Sequence, residues 1–221
     1  MTRKMTKKMT RKMTWNMTLE GRLNMSGHGH SFANPGPAGL VALAMACFTF
    51  FAIQTGRITS DALGLMGVWL IGGFVVQIAV GLIELKDGNS TGGNVFTFFS
   101  AFFMLVTGLN LIFKYFAIKN GWKIDARVDG WAWLALSSAL TLWTPAYFKS
   151  PKTLLAVVLA LLPAVWIVTF TDLGVWPKSV VPISGWCLFI AGWFGLYTGA
   201  AVILNTAYGK TILPTGKPFI Q

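Results

Sequence analysis

One apolar segment of the chain carries a line of polar and small side chains. Gln77, Gly81 and Glu84 follow one another at i, i+4 and i+7, so they share one face of a helix. A polar side chain deep in a membrane is costly and usually faces the interior of a helix bundle or a water-filled path. We therefore predict a buried role for Gln77, near the middle of its segment. Glu84 lies at the end of the segment, beside Lys86 and Asp87, where solvation explains it equally well.

The sequence lacks the residue patterns that commonly build enzyme sites. It contains no HExxH, no GxSxG, no phosphate-binding loop and no CxxC. His28 and His30 lie in a Gly/Ser stretch without a neighbouring Cys or acidic residue to complete a metal site. Cys47 and Cys187 lie in apolar runs, as small core residues do. We therefore predict no enzymatic activity, no metal and no cofactor, which leaves movement of a small solute or a structural membrane role.

The composition is typical of a membrane protein. The chain of 221 residues is 54% hydrophobic and only 11% charged, whereas soluble domains carry about 25% charged residues. Its 18 basic and 7 acidic residues give a net charge of +11. Much of this excess lies in the first 22 residues, so it belongs to a tail, and we expect no nucleic-acid partner.

The tail is a basic repeat. Residues 1–16 follow a four-residue period, MTRK-MTKK-MTRK-MTWN. We predict that residues 1–33 are a disordered cytoplasmic tail, because a polar, basic repeat cannot bury enough apolar surface to fold. The alternative is attraction to anionic lipid headgroups of the bilayer, at about 1 kcal/mol for each basic residue near the surface.

Six apolar runs follow the tail, and each is close to the ~20 residues that a helix needs to cross a bilayer. They lie near residues 38–56, 62–85, 95–118, 131–148, 153–171 and 183–206. We predict an all-α, polytopic membrane protein with six transmembrane helices in residues 34–208 and a short cytoplasmic C-terminal segment, 209–221. An even number of spans puts both termini on one side, and 12 basic residues against 6 favour the cytoplasm for that side. We expect an integral, multi-pass protein of the cell membrane.

The first apolar run opens with Asn34-Pro35-Gly36-Pro37-Ala38-Gly39-Leu40. Proline lacks an N–H and fixes φ, which costs nothing at a helix start, where the first N–H groups have no partner within the helix. Asn34 is a candidate N-cap, and Ala38 and Gly39 allow another backbone to approach closely. The simplest interpretation is a helix start alone. A helix N-terminus also presents partial positive charge and free N–H groups, which suit a carboxylate.

The later runs contain residues that predict contacts between helices. Asn110 is a candidate interhelical hydrogen-bond donor, and Lys114 is near enough to a helix end to reach the interface. Pro163 predicts a kink, and Gly195 with Gly199 predicts close helix packing. Aromatic residues near the predicted interfaces are typical of an aromatic belt; they are Trp122, Trp131, Trp133, Tyr147, Trp176 and Tyr208.

Four segments together resemble the acetate uptake transporter family of membrane proteins, the GPR1-FUN34-YaaH type. They are, in chain order, residues 34–40; the pattern from Gly73 through Gln77, Gly81 and Glu84 to Gly88-Asn89; Gly185-Trp186 through Tyr197 to Asn205; and the motif GKTILPTG at residues 209–216. The second segment has one residue more than the family pattern between its glycine pair and its glutamine. The set follows the family's order on the six predicted helices.

The resemblance implies a six-helix protomer that assembles as a homohexamer, with a separate pathway through each protomer. It implies transport of acetate or a similar small carboxylate, with succinate as a further candidate. The protein would be either an anion channel or a proton-linked permease working by symport. The residues assigned to the substrate pathway are Asn34, Pro35, Pro37, Gly39, Gln77, Glu84, Tyr197 and Asn205.

In the family the pathway narrows at a Phe, a Tyr and a Leu, and by register these positions are Leu43, Phe99 and Leu161 in this chain. Leu replaces Phe and Phe replaces Tyr, which removes a hydroxyl and leaves an apolar gate. Such a constriction excludes a hydrated ion and favours a small, partly apolar solute. Crossing as neutral acetic acid avoids the cost of burying a charge, so uptake is expected to rise as pH falls towards about 4.

Two alternatives stay open from the sequence alone. A transporter of the same architecture could carry another small solute such as ammonia, which the altered gate residues favour. The basic tail favours instead a structural or signalling membrane protein without a cargo.

Overall fold

Long apolar runs with few polar residues form helices, because a helix satisfies every backbone group internally where water is absent. The structure, a computed structural model, describes residues 32–220, so the basic repeat and both histidines lie outside the described residues. Six long helices are found in the described part. They are α1 (Gly36–Gln54), α2 (Leu63–Lys86), α3 (Ser90–Asn120), α4 (Arg127–Trp143), α5 (Lys152–Asp172) and α6 (Val181–Tyr208).

The predicted all-α fold with six apolar segments is confirmed. Five helices in the described part, all except α4, are long and apolar enough to cross a membrane. Helix α4 has 17 residues and continues as a 3₁₀ segment, Thr144–Lys149, which together match the fourth predicted run. The side on which the termini lie stays a prediction.

Helix α3 differs most from its predicted bounds. It begins five residues earlier than the apolar run, because the Asn89 side chain caps its first turn: Gly92 N–H donates to Asn89 Oδ1 at 3.0 Å. Its middle, Phe99–Val106, is a π-helix. The spacing of apolar residues does not predict this π-helix. Short π segments within α-helices are frequent at functional sites.

Helix α6 packs closely on α1 through small residues. A Cβ added to Gly195 would lie 3.5 Å from the Leu40 carbonyl oxygen, and one added to Gly199 would lie 3.4 Å from the Pro37 carbonyl oxygen. The predicted close packing of the glycine pair is therefore found, between α6 and the start of α1. This contact fixes the position of the first helix turn, which the site uses.

Residues 209–220, which we call the C-terminal strap, fold back onto the bundle. Thr153 N–H, at the start of α5, donates to Thr215 O at 3.1 Å, and Phe219 N–H donates to Phe148 O at 3.0 Å. The strap thereby supplies a backbone partner to an N–H in the first turn of α5, a group that lacks one within its own helix.

Candidate functional site

Two cavities lie at opposite ends of the helix bundle. The first, about 240 Å³, is lined by the start of α1, the end of α2, the start of α3 and the turn before α5. We call it the Gln77 cavity. The second, about 490 Å³, is lined by the end of α1, the second half of α3, the first half of α4, the second half of α5 and the start of α6, with Lys114 and Asp129 in its wall. We call it the Lys114 cavity.

The Gln77 cavity brings together most of the residues singled out in the sequence. Seven of the predicted pathway and constriction residues line it: Asn34, Pro37, Gln77, Glu84, Leu43, Phe99 and Leu161. They come from four helices and the loop before α1 and are up to 127 positions apart in the chain. Their shared position is consistent with one path, and their role in transport stays a prediction.

The N-cap of helix α1 is Pro35, one residue after the predicted N-cap, Asn34. Asn34 Oδ1 accepts a hydrogen bond from Gly36 N–H at 2.9 Å. Pro37 has no N–H, and Ala38 N–H donates to Pro35 O at 3.1 Å. The first turn therefore presents no free N–H, and the expectation that it offers such groups to a carboxylate is wrong.

Gln77 is buried in the cavity wall with half of its amide unpaired. Only 1% of its surface is exposed. Its Nε2 donates to Gly39 O on α1 at 3.2 Å, while its Oε1 has no hydrogen-bond partner in residues 32–220. The acceptor on Gly39 fixes which end of the amide is the donor. What remains for a solute is a hydrogen-bond acceptor, and an unpaired buried acceptor is costly until something donates to it.

Close approach at two glycines positions this wall. A Cβ on Gly39 would lie 2.6 Å from Cε1 of Phe96, so only glycine lets the α3 ring pack against α1. A Cβ on Gly81 would lie 2.9 Å from the backbone nitrogen of Thr97. Gly81, the middle of the predicted stripe, is thus where α3 approaches α2. The prediction that Gly39 admits a neighbouring backbone is wrong, because a side-chain ring fills the space.

Glu84 stands at the edge of the same cavity. The Asn89 side-chain amide donates to Glu84 Oε2. Added Cβ atoms on Gly36 and Gly92 would lie 3.4 Å and 3.1 Å from the two carboxylate oxygens. Glu84 is therefore held between the starts of α1 and α3 by Asn89, and no cation binds it in residues 32–220.

An apolar contact separates the two cavities. Leu43, Phe99 and Leu161 are all buried. The Phe99 ring meets the Phe103 ring edge to face, with 5.6 Å between centroids, and Phe103 lines the Lys114 cavity. The ring pair therefore lies between one cavity and the other.

Tyr197 and Asn205 hold the C-terminal strap. Tyr197 Oη donates to Pro214 O at 2.9 Å. Asn205 Nδ2 donates to Leu213 O at 2.9 Å, and its Oδ1 accepts from the N–H groups of Ile212 and Leu213. Neither residue lines the Gln77 cavity. Both make structural contacts to the tail motif, and their assignment to the pathway stays a prediction.

Tyr147 lines a cavity, although it was predicted to lie in the aromatic belt at the membrane interface. Its position near the end of α4 is typical of an aromatic belt, yet only 4% of its surface is exposed and it lines the Gln77 cavity. Trp133 likewise lines the Lys114 cavity. Aromatic spacing alone does not show the rotation of a helix, so the belt interpretation is wrong for these two residues.

The Lys114 cavity contains an ion pair that the sequence analysis did not foresee. Lys114 Nζ lies 2.5 Å from Asp129 Oδ2, and Asn110 Nδ2 donates to Asp129 Oδ1 at 3.1 Å. The side chains of Lys114 and Asp129 are 30% and 15% exposed. The predicted interhelical bond of Asn110 is confirmed, and Lys114 turns towards Asp129 on α4.

Comparison with known proteins identifies relatives over most of the chain. Residues 18–217 match the sequence profile of the GPR1/FUN34/yaaH family. The succinate-acetate/proton symporter SatP of Escherichia coli K12 is 26% identical over 84% of this chain and 96% of its own length. The ammonia transport outward protein 2 of Saccharomyces cerevisiae is 28% identical over 80% of this chain and 64% of its own length.

A solved structure has the same fold. The structure described as that of the bacterial acetate channel SatP superposes with a TM-score of 0.72, at 24% sequence identity. The match covers 84% of this chain and 99% of the other. At this identity the likeness establishes the fold, including its polytopic membrane architecture.

Proposed function

The chain belongs to the GPR1/FUN34/yaaH family, and from that premise we propose that it transports acetate across the membrane along a path that joins the two cavities. The relative named as a succinate-acetate/proton symporter and the structure named as an acetate channel support this cargo. Succinate is a second carboxylate to test. The proposal makes the protein a transporter, which moves its cargo across the membrane and leaves the carbon skeleton of that cargo unchanged.

The unpaired acceptor of Gln77 is the observation that carries the proposal. The described residues that line the Gln77 cavity include no Lys and no Arg. Its polar lining includes the Oε1 of Gln77 and the carboxylate of Glu84, both acceptors. A carboxylate anion would meet repulsion from Glu84 and no cation, whereas acetic acid brings its own O–H to donate. The lining thus favours the protonated acid.

The apolar contact between the cavities favours the same form. A charged solute passing Leu43, Phe99 and Leu161 would lose its hydration without a replacement. Phe99 has no hydroxyl with which to bind a carboxylate. The neutral acid, with a methyl group and one O–H, loses much less on passing, so each acetate is expected to cross with one proton.

Uptake of labelled acetate into proteoliposomes tests the proposal. We would compare uptake at pH 5 and pH 7, with and without a proton uncoupler and with and without excess unlabelled succinate, each time subtracting empty liposomes. Above the pKa of a carboxylic acid, its neutral fraction rises about tenfold for each unit by which the pH falls. We therefore expect faster uptake at pH 5, and we expect the uncoupler to reduce it. Saturable uptake that ignores the gradient would indicate a channel for the anion, and uptake equal to empty liposomes would contradict acetate transport.

Ammonia is the second candidate cargo. It also brings N–H donors that the Gln77 Oε1 can accept, and one relative is named for ammonia transport. Competition separates the two cargoes: unlabelled ammonium that suppresses acetate uptake through the purified protein, at constant internal pH, would show a shared path.

We further propose that the protomer assembles as a homohexamer, as the resemblance implies. The outer face of α1 and α2 is apolar and exposed at Val41, Val68 and Trp69, beside Gly72. Small and apolar residues of this kind permit close contact between transmembrane helices. The mass of the detergent-solubilised particle, measured by light scattering, tests the subunit number.

A further inference from the structure

Asp172 is a carboxylate in the wall of the Lys114 cavity without a bonded partner. It lines this cavity together with Lys114 and Asp129. In residues 32–220 it makes no hydrogen bond or ion pair, although the charges of Lys114, Asp129 and Lys178 all act on it. The other acidic residues of this end of the bundle, Asp61 and Asp125, are each paired with a basic side chain.

The packing of α4 on α5 explains why the two carboxylates lie close together. A Cβ on Gly130 would lie 2.5 Å from the backbone nitrogen of Leu173 and 2.8 Å from the carbonyl carbon of Asp172. Only glycine allows this approach, and it brings Asp129, the preceding residue, beside Asp172. Lys114 reaches the same place from α3.

The net charge of this cluster depends on whether Asp172 carries a proton. With Asp172 ionised, the three charges in the cavity wall, those of Lys114, Asp129 and Asp172, sum to −1. Lys178, outside the wall, brings the total to zero, so an anion gains no net attraction. With Asp172 protonated, the wall is neutral and the total with Lys178 is +1, so the site offers an anion a net positive charge and an O–H donor. Asp129 occupies one of the three N–H groups of Lys114, which leaves others for a ligand.

Two more polar atoms in the wall lack partners. Gln54 Oε1 and Thr171 Oγ1 are buried without a hydrogen bond in the described chain, and both residues line the Lys114 cavity. Buried polar groups are nearly always paired in proteins. Their unpaired state here is expected of a cavity that holds a polar ligand or water.

We propose that this cluster is the proton-loading site of the transporter, where a small carboxylate anion binds to Lys114 and receives its proton from Asp172. The proposal rests on the proposed function. The Asp172 O–H bond breaks, an O–H bond forms on the carboxylate oxygen of the substrate, and Asp172 is left ionised. It regains a proton from water at that end of the bundle.

The transfer produces the form that the rest of the path accepts. The neutral acid can leave the cluster, pass the Phe99–Phe103 contact and donate to Gln77. An anion that binds only when Asp172 is protonated carries one proton with it. Proton coupling then follows from the charge of one side chain, without a conformational switch.

Acetate uptake by Asp172→Asn proteoliposomes tests the proposal, with wild type, Asp172→Glu and Asp61→Asn measured in parallel between pH 5 and pH 7. Asp61 lies at the same end of the bundle, but it pairs with Lys119 outside the cavity, so Asp61→Asn is the matched control. We expect uptake by wild type, Asp172→Glu and the control to slow by about a hundredfold from pH 5 to pH 7, about tenfold for each pH unit. We expect Asp172→Asn to lose uptake at both pH values, because asparagine has no proton to give to the bound anion.

An Asp172→Asn profile that follows wild type overturns the proposal, and so does loss of uptake in both Asp172 variants, because glutamate carries the same proton. Recovery of each variant as a particle of wild-type size shows that it is folded. Absence of acetate uptake by wild type would instead contradict the proposed function itself.

Discussion

The two cavities lie in one bundle and differ in the charges that line them. The Gln77 cavity presents acceptors, the Oε1 of Gln77 and the carboxylate of Glu84, and no cation lines it within the described chain. The Lys114 cavity presents a cation held by Asp129 and a second carboxylate, Asp172. Under the functions proposed above, one end suits an anion with a separate proton and the other suits the joined, neutral acid.

Under the proposed mechanism, this difference locates the step at which the cargo loses its charge. Neither cavity needs to bind both forms, because the apolar contact of Phe99 with Phe103 lies between them. On the proposed path, we expect a charged solute to be stopped there and a neutral one to pass. Substitutions that affect the two cavities differently are therefore the most informative tests.

Closing the apolar contact should have the largest effect. Leu43→Trp adds an indole to a buried position that lines the Gln77 cavity beside Phe99. We expect acetate uptake to fall to the level of empty liposomes, and overpacking to lower the stability by about 1–3 kcal/mol. Leu142→Trp is the matched control, since Leu142 is 77% exposed and lines neither cavity. Equal uptake by the two variants would remove Leu43 from the path.

Removing the acceptor should have the next largest effect. Gln77→Leu keeps the side-chain volume nearly constant and deletes Oε1, so we expect uptake to slow about tenfold, the equivalent of one hydrogen bond of ~1.4 kcal/mol. The stability should hardly change, because an unpaired buried acceptor is removed together with the single bond to Gly39. Initial uptake rates at pH 5 measure the effect.

Gln54→Leu provides the comparison for Gln77→Leu, since Gln54 also has an unpaired Oε1 but lies in the wall of the Lys114 cavity. A slower rate in Gln54→Leu than in Gln77→Leu would reverse the assignment of the two cavities.

Changing the charge at the Lys114 cavity should have a moderate effect with a predictable sign. Asp129→Asn removes a negative charge beside Lys114, so we expect the half-saturating acetate concentration at pH 7 to fall about threefold. Lys114→Gln removes the cation, and the same quantity should rise by a similar factor. Changes of the same sign in both variants would contradict anion binding at Lys114.

Loosening the strap should affect stability and leave the transport constants alone. Asn205→Ala deletes three hydrogen bonds to the C-terminal strap, at a cost of about 1–3 kcal/mol. Asn205→Asp keeps the acceptor for Ile212 and Leu213 and should lose less. Thermal unfolding in detergent measures the order. A large change in the half-saturating concentration would instead place Asn205 in the pathway, as the sequence analysis assigned it.

The sequence predicted the helices well, because apolar length is a local property. Helix α2 was predicted at residues 62–85 and is found at Leu63–Lys86. The stripe from Gln77 to Glu84 was also recognisable, since three positions on one helix fix their own common face. Helix α3 was less predictable: its start depends on the Asn89 cap, and its π segment has no periodic signal.

The Lys114 cluster could not be predicted in this way. It needs residues from α3, α4 and α5, and their meeting depends on the rotation of each helix and on the approach at Gly130. The spacing of residues along one sequence does not reveal how each helix is rotated against its neighbours. For the same reason Tyr147, at a helix end, was assigned to the interface although the structure buries it.

The smallest effect is expected at a carboxylate whose charge is already fixed. Hydrogen bonds from Arg127 lower the pKa of Asp125 from 3.8 to about 2. Its contribution to stability is therefore complete above the ordinary value and is lost only as pH falls towards 2. Asp125 is fully ionised throughout the range from pH 5 to pH 7, so Asp125→Asn should leave the pH profile of acetate uptake unchanged. Asp172 makes no such ion pair within residues 32–220, so we expect Asp172→Asn to change the pH profile. A profile that responds equally to both substitutions would mean that surface charge, and not a proton passed to the substrate, sets the pH dependence.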